Sequence, residues 1–485
     1  MYTSGMYTSG TYTSDDSTAS LGNVFVNRRQ ELAALRNAEA KVPTLAVVSG
    51  RRRIGKSQLL HHHFGSRSVL YQARQAGVGD HLQELGDAIA VTLQLPFAPA
   101  LPSWGAALEL LGRTAESYSH SQPLAVVLDE FQYLCDAHPA LPSEIQRAWD
   151  QWSRNSTPIM LVLCGSALTF MSGLLDHGSP LYGRSNMRLS LGPLAFRDAT
   201  AFAPHLTPTQ QVERFALLGG VPQYQVWAGN HGVERLIDVE LLDPSGPFWD
   251  EPQHLIRAEN DIRDSGRYLS IMTAVGSGAT KANEIAQRVG ADPSQTSRQL
   301  AQLESLGYLM QERPVAVFSK DTSRSSWTVV DPFLRWWFLT GSERSLAYGA
   351  RRALALERGA AKAAQLTGGI FEQIVRSWAA DAENLPACES VGRWWSRDGQ
   401  IEIDVVGKDG NRVAIVGSCK WTSKRFGMTD FGSLVAARDH LGPAASDATL
   451  LIAARAGISA ELRRHLGVNS ETGQVVVVTA DELVA

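Results

Sequence analysis

Residues 50–57 read Gly-Arg-Arg-Arg-Ile-Gly-Lys-Ser, and their types and spacing suit the binding of a phosphate chain. Gly50 and Gly55 allow successive backbone N–H groups to turn toward phosphate oxygens. Lys56 is placed to reach the β- and γ-phosphates, and the hydroxyl of Ser57 is suited to hold Mg²⁺. This is the complete Walker A pattern. It predicts a nucleotide site lined by Gly50, Arg51, Arg52, Arg53, Ile54, Gly55, Lys56, Ser57 and Gln58.

Two later apolar runs end in polar residues that would complete such a site. The run LAVVL at residues 124–128 is followed by Asp129 and Glu130. Asp129 is suited to the Mg²⁺ shell, and Glu130 is suited to polarise the attacking water. The run PIMLVLCG at residues 158–165 is followed by Ser166, a polar side chain suited to sensing the γ-phosphate.

These groups can meet only if buried strands deliver them to one edge of a sheet. The run TLAVVS at residues 44–49 precedes the glycine loop, and a helical pattern follows it, as the motif requires. The N-terminus of that helix adds a partial positive charge to the anion site. The sequence therefore predicts an α/β core with a parallel sheet.

The bulk composition limits the class of protein. A chain of 485 residues is expected to form three or four domains, and 44% hydrophobic with 19% charged residues is typical of globular proteins. The net charge of −4 excludes a globally basic nucleic-acid binder, but not a local basic surface. Four dispersed cysteines argue against a disulfide scaffold or a cysteine zinc site and favour the cytoplasm. No apolar run is long enough to cross a bilayer.

Several stretches, taken together, resemble the AAA+ superfamily of P-loop ATPases, in its STAND-like, archaeal-type branch. The resemblance covers residues from about 24 to 240. Its stretches are the pocket motif Phe25-Val26-Asn27-Arg28, the Walker B motif Asp129-Glu130-Phe131-Gln132, the arginine-bearing segment Ser179-Pro180-Leu181-Tyr182-Gly183-Arg184, and the lid motif Gly219-Gly220-Val221-Pro222-Gln223-Tyr224.

The resemblance implies ATP and Mg²⁺ as ligands and assigns roles to three further residues. Arg28 would belong to the nucleotide pocket, and Pro222 would lie against the adenine. Arg184 would offset charge on the γ-phosphate in the transition state. The sequence leaves open that Arg184 is a surface arginine or a carboxylate partner. On sequence alone, Pro222 marks a helix boundary.

Residues 263–345 show three helical patterns followed by two short strand patterns, as in a winged helix-turn-helix. A polar face with Thr296, Arg298 and Gln302 would suit a DNA groove. The alternative, implied by the resemblance, is that this unit packs on the lid and relays the nucleotide state. Its nearly balanced charges weaken the DNA interpretation. We interpret Trp336 and Trp337, in DPFLRWWFLTG, as packing between domains.

The order helix, strand, strand, strand in residues 367–485 resembles the PD-(D/E)XK nuclease core. The resemblance implies a metal held by Asp404, with Glu372 completing the site and Lys420 as its cationic partner. In the family pattern a glutamate lies two residues before the lysine, and here Ser418 occupies that position. A neutral hydroxyl brings no charge to balance Mg²⁺. We therefore expect a weakened or inactive nuclease fold.

The predicted architecture is an α/β chain with an AAA+-type P-loop core, a helical lid, a winged helix-turn-helix and a restriction-endonuclease-like α/β domain. Its predicted segments are a disordered leader (1–20), the ATPase core (21–195), the lid (196–262), the winged helix (263–345), a linker (346–366) and the nuclease-like domain (367–485).

The function predicted from these patterns is ATP hydrolysis in the cytoplasm, with the nucleotide state controlling the winged helix and the nuclease-like domain. The predicted catalytic residues are Lys56, Glu130, Ser166 and Arg184. Two alternatives stay open: an ATP-regulated, Mg²⁺-dependent DNA nuclease or defence effector, and a non-hydrolysing, ATP-gated DNA-binding regulator. DNA is a candidate partner, a membrane is not, and the oligomeric state is open.

Overall fold

The computed structural model describes residues 25–259, 262, 264–318, 324–468 and 474–484. The leader predicted for residues 1–20 lies outside them. None of the helices in these ranges combines the length and the apolar character that crossing a membrane would require.

The first unit is built on a parallel sheet of five strands in the order β2-β3-β4-β1-β5. The strands are β1 Thr44–Ser49, β2 Ser68–Gln72, β3 Leu124–Asp129, β4 Ile159–Gly165 and β5 Met187–Ser190. β3 and β4 are buried along their whole length, which explains why their sequences are continuous apolar runs rather than alternating ones. The predicted parallel α/β core is confirmed, and its strand ends meet at one edge.

Helices cover both faces of this sheet. They are α1 Arg29–Glu39, α2 Lys56–Phe64, α3 Val78–Leu93, α4 Trp104–Ala115, α5 Phe131–Ala137, α6 Leu141–Asn155 and α7 Leu168–Gly173. One apolar cluster joins a sheet face to α3, α4 and α6 through residues such as Leu85, Trp104 and Trp149. The cluster on the other face continues without a break into the units that follow in the chain.

A set of short helices follows the sheet and forms the segment that we call the lid. Its helices are α8 Phe196–Ala199, α9 Pro208–Leu218, α10 Pro222–Trp227, α11 Val233–Leu236 and α12 Glu251–Arg257. Thr207 caps α9 by accepting a hydrogen bond from Gln210 N, and Pro208 is the first residue of the helix. The boundary of α9 follows from local sequence chemistry.

Residues 265–329 form a helix–hairpin unit. It contains α13 Ser265–Gly276, α14 Ala282–Val289 and α15 Pro293–Ser305, followed by the antiparallel pair β6 Leu309–Glu312 and β7 Ser326–Val329. The polar face predicted for α15 is partly wrong, because Thr296 is buried and its hydroxyl donates to Asp292 O at 2.9 Å. Arg298 is exposed, and Gln302 is half-buried.

The two tryptophans of the following helix are interior residues. They lie on α16 Pro332–Leu339, which is followed by α17 Gly341–Arg344. Trp336 donates to Gly359 O at 3.1 Å, and Trp337 donates to Trp249 O at 2.9 Å. These bonds satisfy the buried indole N–H groups. They tie α16 to the lid and to the long helix at residues 352–381, in agreement with the packing role predicted from the sequence.

A helix of 30 residues, α18 Arg352–Asp381, leads into the C-terminal unit. The boundary predicted at residue 366 falls inside this helix, because the alanine-rich segment and the amphipathic segment after it both favour a helix. The C-terminal mixed sheet has the order β12-β11-β10-β9-β8. Its elements are β8 Ser390–Trp395, β9 Glu402–Asp409, β10 Arg412–Lys420, α19 Met428–His440, β11 Thr449–Ala454, α20 Ala460–Val468, β12 Val475–Val478 and α21 Ala480–Val484.

Gly220, between α9 and α10, allows the lid to lie directly on the core. A Cβ atom at this position would lie 1.9 Å from Leu194 O, and Leu194 N donates to Gly220 O at 2.8 Å. We expect Gly220→Ala to lower the melting temperature by several degrees, because the two backbones cannot separate without losing that bond and overpacking costs about 1–3 kcal/mol.

The matched control is Gly79→Ala, in α3, where an added Cβ atom meets nothing within 4 Å. This change should leave the melting temperature equal or slightly higher, since alanine favours a helix. Equal melting temperatures for the two variants by scanning calorimetry would contradict the close-approach explanation.

Candidate nucleotide site

A cavity of about 620 Å³ opens where the carboxyl ends of the strands meet the lid. Its lining combines apolar side chains, among them Phe25, Phe202 and Pro222, with cations and a carboxylate. The loop and charged residues of the lining are Arg28, Arg52, Arg53, Gly55, Lys56, Ser57, Gln58 and Glu130. A cavity with both apolar and cationic walls fits a molecule that joins a flat base to an anionic chain.

The Walker A loop has the shape that its glycines predict. Gly55 has φ +89°, a conformation that side chains with a Cβ atom rarely adopt. The Lys56 ammonium is 5% exposed and donates to Gly50 O at 2.9 Å and to Arg51 O at 3.1 Å. The lysine therefore crosses the loop from the start of α2 to the end of β1, which is the anion-binding end of the cavity.

The predicted magnesium ligands lie together. Ser57 Oγ donates to Asp129 Oδ2 at 2.5 Å, which joins α2 to the end of β3. Asp129 is 1% exposed, and its other oxygen accepts from Glu130 N at 2.9 Å. A hydroxyl and a carboxylate at one point are a hard-oxygen donor set that fits Mg²⁺. In such a position the metal would neutralise phosphate charge.

Glu130 and Ser166, predicted from separate strand ends, are in contact. Ser166 Oγ donates to Glu130 Oε2 at 2.8 Å. Gln132 donates to the same carboxylate oxygen and to Ser166 Oγ, the latter at 3.4 Å. Both donors hold the Glu130 carboxylate in one orientation. The sequence analysis included Gln132 in the Walker B motif but assigned it no role, although its place two residues after Glu130 was a usable signal.

The backbone around the cavity is held in left-handed conformations. Among the described residues, six that are not glycine have positive φ, and four of these are Asn27, Arg28, Arg53 and Glu130. Arg28, Arg53 and Glu130 line the cavity, and Asn27 precedes Arg28. Such conformations cost of order 1–3 kcal/mol each and concentrate at functional sites. Their grouping here marks the cavity as the site that this fold maintains.

Arg28 holds the Walker A loop in place. Its guanidinium is 8% exposed and donates to Ile54 O at 3.0 Å and to Gly192 O at 2.8 Å. A third bond goes to Glu31 at 3.0 Å. Arg28 thus connects the segment before α1 with the loop and with the chain after β5. It lies at the cavity, as predicted, and its bonds are to protein oxygens.

Phe25, in the lining of the cavity, is part of an aromatic stack. Phe25 stacks on His62 of α2, with ring centroids 3.8 Å apart and planes 7° apart. Phe25 lines the cavity together with Pro222 and Phe202, and such apolar side chains suit a flat base.

The side chains of Arg51 and Arg53 form ion pairs with residues of other units. Arg51 lies 4.4 Å from the centre of the Tyr308 ring and forms an ion pair with Asp331 Oδ2 at 3.7 Å. Arg53 forms an ion pair with Glu251 at 2.6 Å and lies over the Trp227 ring at 4.2 Å. Both were predicted to bind the nucleotide. Arg53 lines the cavity but is paired with a carboxylate, and Arg51 is not among the lining residues.

The carboxylates that receive these arginines are buried. Asp331 is 4% exposed and Glu251 is 2% exposed. Burial raises the pKa of Glu251 to about 7, with Arg53 opposing the rise. Burial also raises the pKa of Asp331, and Arg51 opposes it. The arginines therefore oppose the effect of burial on these carboxylates without cancelling it.

Arg184 lies away from this cavity. Its guanidinium makes two bonds to the Asp150 carboxylate, at 2.8 Å and 3.0 Å. Two residues on, Asn186 N donates to Leu45 O, at the amino end of β1, whereas the Walker A loop follows the carboxyl end. Within this chain, Arg184 is a carboxylate partner on the opposite edge of the sheet, the alternative that the sequence had left open.

The residues predicted for a nuclease site meet in the C-terminal unit, but other groups satisfy them. Asp404 Oδ2 accepts from Cys419 N at 2.7 Å and from Ser418 Oγ at 3.3 Å. The Arg376 guanidinium lies 3.6 Å from Glu372 Oε2 and donates to Asp404 O at 2.8 Å. An arginine of the chain therefore supplies the positive charge beside these carboxyl groups.

Both carboxyl groups of this second site have raised pKa values. Burial, with Asp404 nearby, raises the pKa of Glu372 to about 7. Burial also raises the pKa of Asp404, while the Cys419 N–H and the exposed Lys420 oppose it. In the part of the chain that the structure describes, no cluster of three or more histidine, cysteine, aspartate or glutamate side chains could hold a metal.

Comparison with known proteins divides the chain into two matched regions. Residues 25–224 match a family described as an ATPase domain predominantly from Archaea. Residues 336–429 match a family of archaeal and bacterial proteins of unknown function. An uncharacterized protein of Methanocaldococcus jannaschii is 24% identical over 424 residues, which cover 82% of this chain and 88% of that protein.

Two solved structures align with about two thirds of this chain. The Walker-type ATPase of Pyrococcus abyssi superposes with a TM-score of 0.50 at 20% identity, covering 65% of this chain and 96% of that one. The ORC2 protein of Aeropyrum pernix gives a TM-score of 0.44 at 14% identity, covering 70% and 97% of the two chains. Residues 25–224 thus match an ATPase-domain family, and their parallel sheet with its Walker A loop has the fold of a P-loop ATPase.

Proposed function

We propose that the chain hydrolyses ATP with Mg²⁺ and uses the nucleotide state to reposition the units that follow its ATPase domain. The observation that carries this proposal is the convergence of Lys56, Ser57, Asp129 and Glu130 at one end of the cavity, with Ser166 against Glu130. They come from three separate stretches of the sequence, at residues 56–57, 129–130 and 166. Their combination is what phosphoryl transfer to water requires.

The residues have separate tasks in this reaction. Lys56 exchanges its loop carbonyls for phosphate oxygens, which offer a stronger, charged partner. Ser57 and Asp129 would hold Mg²⁺, which would supply positive charge beside the phosphates. Glu130 orients the attacking water, and the bond from Ser166 fixes the carboxylate for that purpose. A non-hydrolysing regulator is the weaker alternative, since it needs no carboxylate in this position.

The Walker A loop itself connects the nucleotide site to the other units. Arg51 forms an ion pair with Asp331, at the start of α16. Arg53, two residues on, forms an ion pair with Glu251, in α12. A shift of the loop on nucleotide binding changes the distance between these charges. Breaking a buried pair is strongly unfavourable, so the partners move with the loop.

We infer that the helix–hairpin unit is a winged helix and that it serves in this relay. Three helices followed by an antiparallel pair support the assignment. The burial of Thr296 removes one of the three residues proposed for a DNA groove, and Arg298 remains exposed. The relay is therefore better supported than base readout, while contact of the Arg298 face with a DNA backbone is a secondary proposal.

For the C-terminal unit we propose a nuclease-like fold without cleavage activity. Its mixed sheet and the meeting of Asp404 with Glu372 support the fold assignment. Arg376 and Ser418 occupy positions that a metal site would need for a cation and a carboxylate. Mg²⁺-dependent nicking of supercoiled DNA by the wild type, abolished in Asp404→Ala, would refute this proposal.

The first test separates binding from hydrolysis. We expect Lys56→Ala to lose ATP turnover by about 100-fold or more, because a preorganised phosphate contact disappears. Glu130→Gln should keep ATP affinity and lose turnover to a similar degree, since only the water loses its partner. Phosphate release and binding of a fluorescent ATP analogue measure the two effects. Lys41→Ala, an exposed lysine, is the control, and undiminished turnover in Lys56→Ala would exclude the site.

The second test concerns the relay. Asp331→Asn keeps the oxygen that accepts from Phe333 N at 3.0 Å and removes the charge that faces Arg51. We expect ATP to alter amide hydrogen exchange in α16 of the wild type, and this difference to disappear in the variant. Asp292→Asn is the control, because Asp292 caps α15 in the same way but is exposed. Equal ATP-dependent differences in Asp331→Asn and the wild type would contradict the relay.

The third test uses pH. The folded-state pKa of Glu372 lies near 7, above its ordinary value of 4.5, so this group's stabilising contribution is complete at low pH and is lost as the pH rises toward 7. The melting temperature of Glu372→Gln should therefore fall less between about pH 5 and about pH 8 than that of the wild type. Glu383→Gln, at an exposed position, should fall like the wild type. If the melting temperatures of all three proteins fall equally over this pH range, the raised pKa of the buried Glu372 carboxyl is contradicted.

A further inference from the structure

Arg52 differs from the arginines on either side of it, because its side chain bonds to a neutral hydroxyl at the cavity rather than to a buried carboxylate. Its Nη2 donates to the Tyr133 hydroxyl at 3.1 Å, and the residue lines the same cavity as Lys56 and Glu130. Arg51 and Arg53 instead form ion pairs with buried carboxylates of later units. Three successive arginines therefore serve two different purposes.

Tyr133 places the Arg52 guanidinium beside the water-polarising group. It lies in the first turn of α5, and its N–H donates to Glu130 O at 3.0 Å. Arg52 also lines a second, smaller crevice together with Gln132, Tyr133 and Ser166. The guanidinium thus lies between the Lys56 side of the loop and the Glu130–Ser166 pair. The terminal phosphate must occupy this end if Glu130 is to orient water against it.

The other cations that line the cavity are already engaged. Arg28 donates to the carbonyls of Ile54 and Gly192 and to Glu31. Arg53 is held by Glu251 at 2.6 Å. Arg52 donates to a neutral phenol, which is a weaker partner than a carboxylate and is readily exchanged for a phosphate oxygen. Arg52 is therefore the arginine at this end that phosphate can recruit at the lowest cost.

We propose that Arg52 is a catalytic residue that contacts the γ-phosphate of ATP within its own chain, a role that rests on the proposed ATPase function. In the reaction, a water oxygen forms a bond to the terminal phosphorus and the bond to the bridging oxygen breaks. The water proton passes to Glu130 or to a phosphate oxygen, and ADP and inorganic phosphate leave. The Arg52 guanidinium offsets the charge that develops on the phosphoryl oxygens. Tyr133 is the positioning residue that aims it.

The test compares Arg52→Gln, Arg52→Lys and Tyr133→Phe with the wild type in the full chain. Arg52→Gln should lower kcat about 100-fold or more and abolish the preference for an ATP analogue over ADP, while ADP affinity is kept. Arg52→Lys should restore part of kcat, because it keeps the charge without the planar fork. Tyr133→Phe should lower kcat about 3- to 10-fold, the effect of one hydrogen bond.

Two controls make the outcome decisive. Arg113→Gln changes an exposed arginine of α4 and should leave kcat unchanged, and melting temperatures verify that every variant is folded. Wild-type kcat and an unchanged ATP-to-ADP affinity ratio in Arg52→Gln would overturn the inference. Loss of kcat in Arg184→Gln with none in Arg52→Gln would also overturn it. A wild-type chain that releases no phosphate would instead refute the proposed function.

Discussion

The ion pairs between the Walker A loop and the units that follow it constrain the whole arrangement. A guanidinium and a carboxylate buried together lose hydration, and only a close and well-bonded partner compensates for that loss. Arg53 with Glu251 meets this condition at 2.6 Å, with the Trp227 ring and the Tyr224 hydroxyl as additional partners. Arg51 and Asp331 are farther apart, at 3.7 Å, and Asp331 Oδ2 accepts no hydrogen bond from the described residues, although Arg51 also donates to Gly307 O. Removal of one partner would leave a buried charge, at a cost of about 3–5 kcal/mol.

These ion pairs couple the position of the Walker A loop to the positions of α12 and α16. Residues of the loop cannot shift toward a ligand without altering the electrostatics of α12 and α16. The apolar cluster that runs from the sheet through the lid to the helix–hairpin unit has no break at which such a shift would be absorbed. Close packing transmits displacement because interiors have few voids.

The C-terminal unit is attached to the same system. Its apolar cluster includes Val212 and Ala216 of the lid helix α9, and Arg455 lies 3.3 Å from Glu213 of that helix. α18 enters this unit directly from the α16 contacts as one continuous helix. Arg376 lies beside Glu372 and donates to the main-chain oxygen of Asp404, so the carboxyl groups of this unit and its packing on the lid belong to one continuous structure.

The sequence by itself determined the elements whose signal is local. Glycine spacing specified the loop, apolar runs specified the buried strands β1, β3 and β4, and the polar residues at their ends identified Lys56, Asp129, Glu130 and Ser166. Parallel strands bring such ends to one edge, so these contacts followed from topology. Ser418 stands where the nuclease pattern that this segment resembles has a glutamate, and this difference predicted a site without that carboxylate.

Only the tertiary structure decided where long charged side chains point. Arg51, Arg52 and Arg53 are identical in type and adjacent in sequence, yet each has a different partner, and those partners come from distant parts of the chain. Arg184 binds Asp150 at the edge of the sheet opposite the Walker A loop. Thr296 turned inward because the packing of the helix–hairpin unit, rather than helical periodicity alone, chose the face. A flexible side chain has many rotamers of similar energy, and the surrounding fold selects among them.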